Sequence, residues 1–223
     1  MASGASPIWP RLVKGGIVTM DVDTSVVQGV IALQYNPDSL SRSMQIQSLP
    51  GGTDGVRVDV LRLRGPAIET IKVEAELDAV DQLEFPDQNP LVVQYGLQPQ
   101  LAQLEMLINP TVETLLADDS MANAGTLEII PLEQPVTLFV WSKSRVVPIR
   151  LTEFSITEEA FDTSLNPIRA KVSLGMRVLT IDDVGFQHPA GQMFMSYLTN
   201  KENLAAKAAN AALTVLGLSG GLP

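Results

Sequence analysis

IRAKVSLGMRV, residues 168–178, alternates along its whole length. Ile168, Ala170, Val172, Leu174, Met176 and Val178 share one side, and Arg169, Lys171, Ser173 and Arg177 share the other. A period of two marks a β-strand with one buried and one solvated face. Eleven such residues span about 35 Å at the usual strand rise, long for an ordinary domain. Upstream, Ile71, Val73, Ala75 and Leu77 alternate with Lys72, Glu74, Glu76 and Asp78 in the same way. Between these stretches Val147, Ile149 and Leu151 change register to Phe154 and Ile156, which predicts a bulge. Val56, Val58 and Val60 give way to Leu61 and Leu63 in a second such shift.

Further strands are expected at Ile17–Val22, Gly29–Tyr35, Leu40–Ser48, Leu127–Ile130 and Val136–Trp141. Turn chemistry separates them: Asn36-Pro37-Asp38-Ser39, Pro50-Gly51-Gly52 and Gly65-Pro66. These connections are too short for parallel crossovers, so they are expected to be antiparallel and hairpin-like. One central helix is predicted from Leu101, Leu104, Leu107 and Ile108 after Pro99, ending at Asn109-Pro110. A second is predicted from about Gln192 to Leu216, with Leu204, Ala208, Ala211, Ala212 and Val215 on one stripe. Its small side chains suit close approach to a partner backbone. The domain reading is an N-terminal arm over 1–14, a β domain over 15–186, and a loop plus alanine-rich docking helix over 187–223.

The 223 residues carry 45% hydrophobic and 18% charged side chains and a net charge of −10. That length can bury its own core. The acidic excess disfavours nucleic acid, because neutralising phosphates needs clustered Lys and Arg. Cysteine is absent and His188 is the only histidine. Thiolate sites therefore have no residues to use, and most zinc sites and any catalytic arrangement that needs a second histidine are removed as well. His188 reads as an exposed or capping residue beside Pro189. The first twenty residues hold no continuous apolar run like that of a secretory signal, and the Leu204–Leu218 stretch is too short for a bilayer. No phosphate-binding loop motif occurs. No cofactor and no metal are expected.

Lys72, Glu74, Glu76 and Asp78 project together from one strand face. They are either an ordinary solvated face or, repeated in a ring, the wall of a polar channel. Neighbouring carboxylates at Asp118-Asp119, Glu158-Glu159 and Asp182-Asp183 make poor acid/base pairs where they fall in a strand, since neighbours there point to opposite faces. A hydrolytic pair assembled from distant residues stays open as a rival reading. A monomeric ligand-binding β-sandwich is a second rival, with an enclosed apolar pocket and a tail folded back on its own domain.

Several segments in order resemble the tube proteins of contractile, phage-tail-like injection systems. QYNPDSLSRS (34–43) resembles the family's strand-turn-strand, and GPAIETIKVEAELDAVDQLE (65–84) its following block. QPQLAQLEMLINP (98–110) is similar to its central helix. The stretch from Pro135 to Leu179 resembles its paired C-terminal strands, with the hairpin closed at Asn166-Pro167. The resemblance covers roughly residues 15–185. It implies a mainly β, α+β fold: a tube-like antiparallel β-sandwich or split barrel with one packed helix, plus a C-terminal helical extension, forming rings. Asn36, Pro37, Asn166 and Pro167 are then expected to set hairpin geometry.

What the resemblance implies for function is a non-enzymatic adaptor. It would form a homo-hexameric ring at one end of the inner tube, joining a tube ring protein to the cap or baseplate through the C-terminal helix. The protein is expected to assemble in the cytoplasm within a released or anchored particle, without nucleic acid or membrane insertion. Baseplate members of the family usually carry a LysM module after the tube domain, and none is visible here. A hub or tube initiator lacking that module is the alternative within the family.

Overall fold

A computed structural model of the chain describes residues 13–47, 63–123, 134–208 and 215. Seven strands are present among them: β1 (Gly16–Met20), β2 (Val27–Ala32), β3 (Leu40–Gln45), β4 (Ile68–Asp78), β5 (Val136–Ser142), β6 (Arg145–Phe161) and β7 (Pro167–Val178). Helices α1 (Val80–Leu83), α2 (Pro90–Tyr95), α3 (Gln98–Glu105) and α4 (Val112–Asn123) lie between β4 and β5, with one 3-10 turn at Pro86–Gln88. Helices α5 (Ile181–Val184) and α6 (Pro189–Ala206) follow β7. The expected bulge over Val56–Leu63 falls almost wholly outside the described residues, as do the Leu127–Ile130 strand and the Pro50-Gly51-Gly52 turn.

The strands join into one sheet in the order β2-β1-β5-β6-β7-β4-β3, antiparallel at every described pairing. The mainly β, α+β class is as expected. The two-sheet arrangement is not: one sheet is seen, and its edges do not pair into a barrel. Each described strand is hydrogen-bonded to the next, and β4 and β7 pair directly from Thr70 to Asp78, so the described strands do not divide into two sheets. The single packed helix is corrected too, since four helices occupy residues 80–123.

The long alternation at residues 168–178 forms β7, and Ala170, Val172, Leu174, Met176 and Val178 are each at most 1% exposed. On β4, Ile71, Val73, Ala75 and Leu77 are buried against them. The bulge expected between Leu151 and Phe154 is present, with the β6–β7 register shifting between Leu151 and Glu153. Leu97, Leu101 and Leu104 bring α3 into the same core. Burying a leucine side chain contributes about 1.5–3 kcal/mol, so this contact fixes α3 to the sheet.

The sheet curls strongly. Its edge strands β2 and β3 are joined only by residues 33–39, whereas six spacings of a flat sheet would separate them by about 29 Å. Gln34 closes part of the gap, donating from Nε2 to the Asp78 carbonyl at 2.6 Å and accepting from the Asp78 N–H at 2.9 Å.

Candidate functional site

The Asn36-Pro37 turn does not close a hairpin, which corrects the expectation: it carries the chain from one sheet edge to the other. Asn36 works through its amide. Oδ1 accepts from the Gly15 N–H at 2.9 Å, and Nδ2 donates to the Val13 carbonyl at 2.9 Å. It thereby fixes the segment that leads into β1.

Asn166 and Pro167 do set the β6–β7 hairpin, where Phe161 pairs with Pro167. Asn166 is buried, and its Nδ2 donates to Asp162 Oδ2 at 2.8 Å and to the Gln94 carbonyl at 3.2 Å. These bonds, first the Asn166 side chain and then its backbone N–H, hold the Asp162 carboxyl below its ordinary value. Leu97 donates its N–H to the Pro167 carbonyl at 2.9 Å. Gly96 takes φ +58, and a Cβ there would collide with that same carbonyl. The turn thus seats the end of α2 and the start of α3 as well as closing the hairpin.

Lys72, Glu74 and Glu76 are exposed on β4 and Asp78 is half-buried at its end, so the expected common face exists. β7 and β6 extend it into a lattice of opposite charges. Lys72 Nζ lies 2.8 Å from Glu153 Oε2, Arg169 2.8 Å from Asp78 Oδ2, and Lys171 3.2 Å from Glu159 Oε1. The Asp78 carboxyl sits below its ordinary value, chiefly because it accepts the Val80 N–H, with Arg169 adding to the effect. A cleft of about 510 Å³ opens between this face and the 35–39 turn, walled by Tyr35, Asp38, Glu74 and Glu76. The cleft gathers the carboxylates of Asp38, Glu74 and Glu76, the last two on the exposed side of the sheet.

Among the described residues one carboxylate is buried in the core. Glu69, on the core-facing side of β4, is 3% exposed. Arg42 Nε donates to its Oε1 at 2.6 Å and Lys201 Nζ to its Oε2 at 2.9 Å. The Tyr197 hydroxyl lies 3.2 Å from both oxygens and accepts from the Arg42 guanidinium at 3.0 Å. Burial alone would raise the Glu69 carboxyl, but its bonds to Arg42 and Lys201 outweigh this and hold it below its ordinary value. A carboxylate fixed in the charged state by two cations is a clamp, and it ties α6 to β3 and β4.

The clamp's partners lie 27 to 132 residues from Glu69, so no sequence motif brings them together. The one available signal was local. Glu69 occupies an inward position of an otherwise apolar alternation, where a charge must be paired.

Helix α6 also departs from expectation. It starts at Pro189, capped by His188, whose Nδ1 accepts the Ala190 N–H at 3.1 Å. Phe194 and Tyr197 join the main core, while Ala190 and Met193 join a smaller cluster with Met20, Val136 and Leu138. The helix is therefore built into the β body and is not a free appendage from residue 187. The proposed docking residues Leu204, Ala208 and Val215 are exposed, and Ala211 and Ala212 lie outside the described residues.

Among the described residues no group of three or more His, Cys, Asp or Glu side chains is arranged to hold a metal ion, and no helix is long and apolar enough to cross a membrane. Comparison with protein-family models yields no match, and a search of curated proteins yields none.

Proposed function

We propose that the protein is a structural adaptor: a ring of identical chains, six by the family resemblance, seated at one end of the inner tube of a contractile injection system. The observation that carries this reading is the charged face of β4, β7 and β6. These strands, of 11, 12 and 17 residues, present cross-linked opposite charges on one side and a closed apolar core on the other. A long, stiff, hydrophilic wall suits the inside of a ring, where Lys72, Glu74, Glu76 and Asp78 would repeat once per subunit.

The sheet edges support the same reading. Among the described residues β2 and β3 are the outermost strands of the sheet, and Val27, Val30 and Met44 on them are exposed. Such edges invite pairing with another chain, and ring closure removes the hazard. The exposed end of α6 and the residues beyond it are the proposed contact to the cap, or to the baseplate if the ring starts the tube.

Electron microscopy of the purified protein, alone at high concentration and with its tube partner, tests the proposal. Rings with a central opening are expected. A protein that remains monomeric under both conditions would overturn it.

A further inference from the structure

The sheet is not the only surface that looks unfinished. Between Lys72 and Lys143 the chain has no lysine or arginine, and all seven charged residues from Val80 to Asn123 are acidic. The same helical segment leaves large apolar side chains in water: Phe85 at 55%, Met106 at 51%, Val112 at 71%, Leu115 at 53% and Leu116 at 65% exposure. Helix α4 is the extreme case. None of its described side chains is buried, and only Thr114 and Met121 are even half-covered. A helix of twelve residues is marginal in water on its own, so α4 gains most when something covers Val112, Leu115 and Leu116. A groove of about 280 Å³ opens where the chain enters α4, walled by Ile31, Met106 and Leu107.

Charge decides the occupant. A two-fold contact between copies would oppose acidic surfaces, with Glu113 and Asp119 facing their own kind. Phosphate-rich nucleic acid and anionic bilayers are repelled for the same reason. We propose that α4 and the neighbouring groove are the docking surface for a partner protein whose apolar side chains are ringed by lysine and arginine. Leucine-like side chains of that partner cover Leu115 and Leu116 and enter the groove, while its cations meet Glu113 and Asp119. This inference does not rest on the ring reading: Ile31 of the edge strand β2 borders the groove, but α4 lies apart from the charged face of β4, β7 and β6, and the docking holds for a monomer as well.

The experiment uses the full chain and three synthetic 14-residue peptides followed by fluorescence anisotropy. One is an amphipathic lysine–leucine helix, one replaces each lysine by glutamate, and one scrambles the lysine–leucine order. The first should bind, with affinity falling as salt is raised. Leu115→Ser with Leu116→Ser, and separately Glu113→Lys with Asp119→Lys, should each weaken it at least tenfold. Glu74→Lys with Glu76→Lys, an equal charge change on the sheet face, should leave it within about twofold. Circular dichroism confirms that the variants remain folded, which is expected because every replaced side chain is exposed.

Three results would overturn the proposal. The scrambled peptide could bind as well as the amphipathic one, or the sheet-face variant could lose as much affinity as the α4 variants, leaving only non-specific attraction. The amphipathic peptide could fail to bind. Sedimentation of the protein alone could reveal an oligomer abolished by the Leu115→Ser, Leu116→Ser change, which would make a second copy the occupant.

Discussion

Replacing Glu69 by glutamine keeps the shape of the buried side chain and removes its charge. Arg42 and Lys201 would then face a neutral amide, and Tyr197 would lose its carboxylate partner. Breaking a buried ion pair by removing one member costs about 3–5 kcal/mol. Here the stranded cations are only partly buried, with side-chain exposures of 25% for Arg42 and 35% for Lys201, so both can rehydrate. That brings the expected loss to about 2–3 kcal/mol. For a chain of this size, Tm should fall by about 5–10 °C at pH 7.

The pH dependence has a definite sign. The folded carboxyl lies below its unfolded value, so the clamp's contribution is complete above about pH 5 and fades as pH drops through and below about 4. Thermal melts of wild type and Glu69→Gln should therefore converge on acidification. Combining Glu69→Leu with Arg42→Met and Lys201→Met should recover much of the loss, because no uncompensated charge is then left in the cluster. A Tm change under about 1 °C at pH 7, or a gap that widens in acid, would refute the reasoning.

Asn166→Ala should cost about 1–3 kcal/mol in urea unfolding, since it removes the buried Asn166 amide's bonds to the Asp162 carboxylate and the Gln94 carbonyl and loosens the Asp162 turn. Gly96→Ala should destabilise at the same seat, with backbone strain added, and should raise amide exchange in α3 before the central strands. Lys72→Met, which removes a surface pair to the exposed Glu153, should move stability by less than about 1 kcal/mol. Removing the chain after Ala208 leaves every described member of the core in place, so the body should still fold. Cutting at residue 187 should unfold the body, because Phe194, Tyr197 and Lys201 go with the tail. Only the shorter deletion is a fair test of docking by the C-terminal end.

The strands were legible because each long one obeys a single period. Even the β6 bulge could be read, since its alternation skips one position between Leu151 and Phe154. Topology was not legible in the same way. The Asn36-Pro37 turn has hairpin chemistry, but it joins opposite edges of a curled sheet, and only the long-range pairing of β4 with β7 makes that geometry possible. The helices from Val80 to Tyr95 were missed because Pro86 and Pro90 interrupt any 3.6-residue stripe, although proline at a first helical position is itself a start signal. α4 was missed because none of its described side chains is buried, so its sequence shows no inward face. The Glu69 clamp escaped because three of its four members come from distant strands or helices.

The central claim is that this chain closes into a ring lined by the β4–β7–β6 charged face. Electron microscopy of the protein, at high concentration and with its tube partner, tests it most directly. The account predicts closed rings of about six 24.0 kDa chains, with a central opening bordered by Lys72, Glu74, Glu76 and Asp78. Monomers under both conditions, or rings with that face turned outward, would contradict it.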